Sequence, residues 1–267
     1  PSRAEGDKTR FVFGTEVARI YKDKDKVRRV HLLVYAPNMQ TAARFNAALD
    51  KWGVNRSSDG RPIFGMTSKQ LLQVTLEIDP SMMVIPAHAW TPWFAVFGSK
   101  SGYDTLEECF EDLTPEIFAI ETGLSSDPTM NRRLTNLDKI TLISNSDAHS
   151  LENLGREANV FDFKNENEIT YNTIRHIIKD DNKKNFLCTI EFYPEEGMYH
   201  YDGHRVCNVQ LTPTESKKLK DVCPVCKKNL TIGVMHRVDD LSDRLEKDIP
   251  STFVPHRYIV PLREIIA

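Results

Sequence analysis

Apolar residues recur along the first two-thirds of the chain with two alternating periods. Arg10 to Tyr21 (RFVFGTEVARIY) and Val27 to Ala36 (VRRVHLLVYA) read as strands. The charged stretch between them, Tyr21 to Lys26 (YKDKDK), reads as a solvated hairpin tip. Thr41 to Trp52 then places Ala42, Phe45, Ala48, Leu49 and Trp52 at helical spacing. Ser68 to Ile78 (SKQLLQVTLEI) starts on a serine suited to an N-cap and predicts a second helix. Met82 to Pro86 predicts a short buried strand, and Thr105 to Leu113 a helix with an acidic outer face. Glu116 to Glu121 and Ile140 to Asn145 predict strands, and Thr170 to Lys179 a helix. Alternation of this kind predicts an α/β layer or a barrel of parallel strands wrapped by helices.

After about Phe186 the texture changes. Tyr193 to His204 (YPEEGMYHYDGH) is rich in turn residues and aromatics, and a cluster of cysteines follows. A domain boundary is expected near 185–198. The stretch from Asp239 to Ala267 starts helix-like and then carries Pro250, Pro255 and Pro261. The chain starts on Pro1, and its last apolar run, Ile259 to Ala267, has no cap, so a longer natural chain is expected. With 267 residues, 40% of them hydrophobic and 27% charged, the composition is that of a globular protein of one large or two small domains. No apolar run approaches the roughly 18 residues of a membrane span, and none resembles a signal peptide. A net charge of −3 removes bulk attraction to nucleic acid as an argument and leaves room for a local basic groove.

Chemistry concentrates in a few places. His204-x2-Cys207 and Cys223-x2-Cys226 are separated by fifteen residues. Two tight turns with this spacing aim four soft donors at one tetrahedral ion, which favours a structural Zn2+. Alternatives are that His200 or His236 supplies the fourth ligand, or that the cysteines are free thiols. Five cysteines, an odd number, with Cys109 and Cys188 in core-like contexts, suit a reducing compartment, hence a cytoplasmic protein. Asn145-Ser-Asp147-Ala-His149 follows the apolar run Ile140 to Ile143, so Asp147 and His149 are expected at the mouth of an α/β site. Glu16, His31 and His88 lie late in, within and just after predicted strands. A lone strand histidine is usually core, but several strands each delivering Glu, His or Asp suit divalent ions that clamp a phosphate and activate water. Glu121 ends a strand and reads as structural, as a support behind the ligands, or as a substrate contact.

The order Glu16 in GTEV, His31 in HLLVYAPN, His88 in PAH and Asp147 with His149 in SDAH resembles the PHP (polymerase and histidinol phosphatase) superfamily. Longer segments narrow this. Ile85 to Phe110, Glu121 to Pro128, Ser144 to Asn159, Glu191 to Cys207 and Cys223 to Arg244 resemble the endonuclease Q family of archaea and some bacteria. The resemblance runs from about residue 10 to 267. It implies an α/β fold, a distorted β/α barrel of PHP type over residues 1–190, followed by a small zinc-binding module over 191–245 and the start of a further segment over 246–267. It implies a DNA-repair hydrolase that nicks 5′ of uracil, hypoxanthine or xanthine and at abasic sites. Mg2+, Mn2+ or Zn2+ in the barrel would be held by Glu16, His31, His88, Asp147 and His149, with Glu16 and Asp147 the residues closest to catalysis. Members of the superfamily open with an HxH motif and a further ligand, which nothing before Glu16 supplies. A fragment with an incomplete metal centre is therefore expected.

Reading a deaminated base requires taking it out of the stack. Trp90, Trp93, Phe94, Tyr199 and Tyr201 offer stacking surfaces, with interface packing as the alternative. Lys100, Arg132, Arg133, Arg156, Lys217, Lys218 and Arg237 are candidate phosphate contacts, with ordinary ion pairs as the alternative. The expected partners are damaged DNA and other repair or replication proteins, with no membrane. Two rival readings are a phosphatase of a small phosphoester and a non-catalytic DNA-binding module.

Overall fold

The computed structural model describes residues 9–56 and 62–266. The expected barrel unit begins, and the expected last segment ends, in residues outside this range. The architecture is mixed α/β.

Two strands dominate its first half: β1 (Phe13–Asp23) and β2 (Lys26–Ala36). They pair in unbroken antiparallel register from Phe13↔Ala36 to Asp23↔Lys26. Only Lys24 and Asp25 separate them, and Lys24 takes a left-handed φ of 52°, the geometry a two-residue hairpin demands. Helix α1 (Met39–Lys51) starts at Asn38, whose side chain accepts from Thr41 N. The short β3 (Ile63–Phe64) adds in parallel to β1. Helix α2 (Ser68–Ile78) starts with a reciprocal capping box between Thr67 and Gln70. Strand β4 (Met83–Pro86) closes the four-stranded sheet on the β2 side, antiparallel to it, in the order β3-β1-β2-β4.

Helix α3 (Leu106–Phe110) is shorter than the sequence predicts. Residues Glu111–Glu116, with Pro115 among them, wind as a 3-10 turn instead. Strand β5 (Ala119–Glu121), helix α4 (Pro128–Asn131) and strand β6 (Thr141–Ile143) follow, with β5 and β6 parallel. Strand β7 (Ala158–Phe161), helix α5 (Tyr171–Lys179) and strand β8 (Phe186–Glu191) lead into the cysteine-bearing region. That region holds the hairpin β9 (Asp202–His204) and β10 (Val209–Leu211), then helices α6 (Pro213–Lys218) and α7 (Val234–Leu241). Strand β11 (His256–Tyr258) returns to pair in parallel with β8.

The strands therefore form four separate sheets, and no closed barrel appears among the described residues. The reason is local. A two-residue turn can join β1 and β2 only as antiparallel neighbours, and β2 uses its other edge for β4, again antiparallel. Parallel pairing is limited to β1 with β3, β5 with β6, and β8 with β11.

One core lies between the four-stranded sheet and α1 and α2, where Val17, Val30, Leu32 and Val34 meet Phe45, Leu49, Leu71 and Leu72. Trp90, Phe97 and Phe110 extend it, and Val234 and Val238 of α7 enter the same cluster. A second cluster joins Met83 and Ile85 to Phe118, Ile143, Ile177 and Phe186. No helix among the described residues is long and apolar enough to cross a membrane. Leu32 is fully buried at the centre of the first core. Leu32→Ala is expected to destabilise the fold by about 2–5 kcal/mol, the usual cost of deleting a buried leucine side chain. Urea unfolding would show this as a lower midpoint with an unchanged slope.

Candidate metal centre and nucleic-acid interface

Glu16, His31 and His88 come together although 72 positions separate the first and last in sequence. Hairpin register places Glu16 on β1 and His31 on β2, and the end of β4 brings in His88. Their ligand atoms lie within 4.8 Å of one another. His31 Nδ1 donates to Glu16 Oε1 at 2.6 Å and lies 3.1 Å from His88 Nε2. His88 Nε2 is 3.5 Å from Glu16 Oε1. The other nitrogen of His88, Nδ1, meets the Thr91 hydroxyl at 3.1 Å, which leaves Nε2 to face the cluster. Burial alone would raise the Glu16 carboxyl, but hydrogen bonds from both histidines outweigh it and hold the group well below the usual carboxylate range. Burial pulls His88 down, and Glu16 and Glu121 more than restore it, so its net shift is upward.

Behind this group sits Glu121, 3% exposed at the end of β5. Its Oε2 accepts from His88 N at 2.7 Å, and its Oε1 from Asn145 Nδ2 at 2.8 Å. Of the readings left open for this residue, these bonds agree with a support behind the candidate ligand His88. His88 has a φ of 29° and Asp147 a φ of 42°, conformations a non-glycine residue holds only when its surroundings impose them. Gly123 makes room for His88, since a Cβ there would come 2.8 Å from His88 Cβ. Asp147 lies outside the tight triad but lines the same cavity of about 480 Å³ as His31, His88, Trp93, Met198 and Tyr199. His149 is not among the residues lining that cavity, though its Nδ1 lies 3.8 Å from Asp147 Oδ1. Its side chain is 69% exposed, and its Nδ1 lies 3.0 Å from the Asp147 carbonyl.

His204, Cys207, Cys223 and Cys226 also converge with ligand atoms within 4.8 Å. His204 and Cys207 flank the β9–β10 turn, and Cys223 and Cys226 a second tight turn in which Cys223 N donates to Lys228 O. Three thiols and one imidazole form a soft donor set of the kind zinc takes. The two other candidate fourth ligands are engaged elsewhere. His200 Nδ1 meets the Ser125 carbonyl, and His236 Nδ1 donates to the fully buried Asp202 at 2.6 Å. Asp202, Asp221 and His236 form a third close group, whose members no motif or spacing along the chain connects. A second cavity of about 500 Å³ runs beside His204, lined by Tyr201 and Arg205, and shares Trp93, Met198 and Tyr199 with the first. Trp93 and Tyr199 meet edge to face, with centroids 6.3 Å apart.

Several expected DNA contacts are committed elsewhere. Arg132 is 4% exposed, donates to the carbonyls of Leu137 and Ile140, and lies 4.0 Å from the Phe253 ring. Its guanidinium is thus engaged by backbone carbonyls and an aromatic ring, and it borders a different cavity from the one lined by His31 and His88. Trp90 is core, and its Nε1 donates to Asn131. Phe94 stacks on His31 at 4.6 Å. Arg133 pairs with Asp239, Lys217 with Asp240 and Arg237 with Asp104. Arg156 donates to the carbonyls of Ser146 and Asp147 and so fixes the loop that carries Asp147. Lys218 is exposed, Lys100 lines a surface cleft, and Trp93 and Tyr201 line the two cavities.

No protein-family model matches the chain. Its fold superposes on the crystal structure of the lesion-specific endonuclease Q from Pyrococcus furiosus with a TM-score of 0.77, 29% identity and coverage of 94% of this chain and 59% of that one. A crystal structure of endonuclease Q with a 27-mer duplex bearing an abasic lesion at its active site matches with a TM-score of 0.79, also at 29% identity over 94% of this chain and 60% of that one. The chain is a structural homologue of endonuclease Q. Curated relatives are uncharacterized: YqxK of Bacillus subtilis is 27% identical over 258 residues, 96% of this chain and 62% of YqxK. A protein of Methanocaldococcus jannaschii is 30% identical over 185 residues, 67% of this chain and 22% of its own length. The chain thus spans less than two-thirds of each endonuclease Q structure and of each curated relative.

Two further carboxyls in this endonuclease Q-like frame are buried, Glu157 and Glu191. Phe192 N donates to Glu157, and the Thr122 hydroxyl to Glu191. Desolvation, reinforced in Glu157 by Glu191 and in Glu191 by Asp127, pushes Glu157 up to about 9 and Glu191 up to about 8. Since both folded values exceed the unfolded one near 4.5, their stabilising contribution is complete below about pH 4.5 and is lost as pH rises through about 8 to 9. Stability measured by urea unfolding should fall across that window. The fall should be shallower in Glu157→Gln and Glu191→Gln, and identical slopes in all three proteins would contradict this account.

Proposed function

We propose that the chain carries the metal centre and base pocket of a DNA repair endonuclease that nicks 5′ of deaminated bases and at abasic sites. The observation that carries this reading is the Glu16–His31–His88 cluster opening on a cavity walled by Trp93 and Tyr199. A compact metabolite has no need of a second aromatic cavity reaching toward a Cys3His turn, whereas a flipped nucleotide does. In support, the chain resembles a protein crystallised on a duplex with an abasic lesion.

Glu16, His31, His88 and Asp147 would hold divalent ions, since one or two carboxylates with two imidazoles suit Mg2+, Mn2+ or Zn2+. Such ions supply Lewis-acid activation of a phosphodiester and of water. The protein's own groups do the rest. Thr91 sets the ring of His88, Glu121 fixes the backbone of His88 and the Asn145 side chain, and Arg156 holds the carbonyls around Asp147. Trp93, Tyr199 and Tyr201 would stack on the extruded base and keep water from it. An abasic site or a mispair is cheap to open, which gives selectivity before any hydrogen bond is read. His204, Cys207, Cys223 and Cys226 would hold a structural zinc that shapes the far wall of the pocket. The working boundaries stay near residues 190 and 245.

End-labelled duplexes carrying one uracil, one hypoxanthine, one abasic site or none provide the test, with Mg2+ or Mn2+ added. Lesion-dependent nicking 5′ of the damaged position is expected. Asp147→Asn should lose more than the roughly 10–100-fold that changes to groups behind a metal ligand cost. Equal nicking of damaged and undamaged duplexes, or full activity in Asp147→Asn, would defeat the proposal. Zinc content gives an independent check. Wild type should carry about one structural zinc per chain, and Cys226→Ser should lose it and melt several degrees lower.

A further inference from the structure

A basic cleft of about 570 Å³ lies beside the metal cluster, along the rest of β2. Its cations are Lys26, Arg28, Arg29, Lys100 and Arg237, and Asp104 is the one carboxylate among its described lining residues. We propose that this cleft holds the backbone phosphates of the DNA strand next to the nick site. The proposal builds on the nuclease reading for the identity of the strand.

Two of the arginines are built into the walls. The Arg28 guanidinium lies 3.9 Å from the Tyr103 ring centroid and donates to the Gly102 carbonyl. Arg237 donates to the carbonyls of Phe97 and Tyr103 and pairs with Asp104. Both are paired, Arg28 with Asp23 at 3.8 Å and Arg237 with Asp104 at 2.6 Å, so the cleft's unmatched charge rests on the other three cations. Lys26 and Arg29 have no ion-pair partner among the described residues, and Lys100 Nζ donates only to the Leu230 carbonyl at 3.4 Å. Asp23 stands opposite Lys26 at the rim but is engaged by Arg28, so Lys26, Arg29 and Lys100 converge on the concavity and repel one another unless an anion lies between them.

The geometry points to one class of anion. Arg29 and His31 are two apart on β2, so their side chains leave the same face about 6.8 Å apart along the strand. One DNA strand advances about 3.4 Å per nucleotide, so Arg29 sits about two steps from the metal cluster. Phe94 spans the gap, stacked on His31 at 4.6 Å with its centroid 6.0 Å from Arg29 Cζ. The loop after β4 lies along the β2 edge that β4 leaves free. His31 N donates to Phe94 O, and Arg29 N to Ser101 O. Gly102 lets this loop fold back on itself, because a Cβ there would come 2.3 Å from Gly98 N. Cleft and metal cluster thus share one rigid strand and one loop, as a track for a continuous polyanion requires.

The test is the triple variant Lys26→Gln, Arg29→Gln, Lys100→Gln in the Asp147→Asn background, with binding to abasic and undamaged duplexes measured over a range of salt. Affinity should fall about fivefold per lost contact at 0.15 M salt, equally for both duplexes, and the log–log salt slope should become shallower by about one per contact. Unchanged affinity and slope would overturn the proposal, as would a loss confined to the abasic duplex. Inorganic phosphate alone, followed by thermal unfolding, separates a free-anion site from a DNA track. A phosphate-induced stabilisation abolished in the variant, with duplex affinity intact, would also overturn it. If the triple variant is unfolded by circular dichroism, the Lys26→Gln, Lys100→Gln pair is measured instead, with a slope change of about two expected. Nicking by wild type is scored separately. A chain that binds through the cleft but never nicks would defeat the nuclease reading and leave the phosphate track standing.

Discussion

A single buried carboxylate ties the candidate site together. Glu121 ends β5 and accepts one N–H from the residue after β4 and one from the side chain after β6. Three strand ends are thereby locked at one point. Leaving such a carboxylate without its donors would cost about 1–3 kcal/mol or more, so His88 and Asn145 are not free to drift. The same bonds impose the unusual φ of His88, which swings its Nε2 toward Glu16 and His31. Buried Glu157 and Glu191 lie nearby, each with only part of its hydrogen-bonding capacity used. The region behind His88 is therefore dense in carboxyls that burial pushes upward. Glu157 accepts from the backbone N–H of Phe192 and Glu191 from the Thr122 hydroxyl, which ties the segments after β8 and β5 to this buried region.

The cysteine-bearing region is joined to the rest of the chain at several independent points. Val234 and Val238 of α7 enter the main core, Arg133 pairs with Asp239, Arg244 with Asp138, and Ser99 donates to the Ile232 carbonyl. The buried Asp202–His236 pair braces this region from inside, since Asp202 also accepts from Gly233 N. A pocket wall made by Tyr199 and Tyr201 is therefore held at a set distance from His31 and His88. The basic cleft lies on the same frame, since Lys26, Arg28 and Arg29 rise from the strand that carries His31 and Arg237 from α7.

Much of this was legible in the chain. The two long strands, α1, α2 and α5 follow from apolar periodicity and capping residues, which act over a few neighbouring positions. The paired x2 spacing of His204, Cys207, Cys223 and Cys226 already implied two turns facing one point, because a tetrahedral donor set leaves few other arrangements. Glu16, His31 and His88 stood out as polar groups at strand positions that otherwise carry apolar residues. Long-range facts were not legible. Arg132 and Arg133 look alike in sequence, yet one is buried under Phe253 and the other pairs across to α7. Trp90 and Trp93 are three residues apart, and only the second reaches a cavity. His149 shares a motif with Asp147, yet its side chain is 69% exposed against 36% for Asp147.

The sequence by itself determined the local elements and the chemical identity of the donors, because helix caps, strand alternation and ligand spacing are properties of short segments. Only the tertiary structure decided which donors meet, that the strands form separate sheets rather than a closed barrel, and which basic residues remain available to a phosphate. Those outcomes depend on strand order and on which side chains are enclosed when distant segments pack. No spacing along the chain encodes either one.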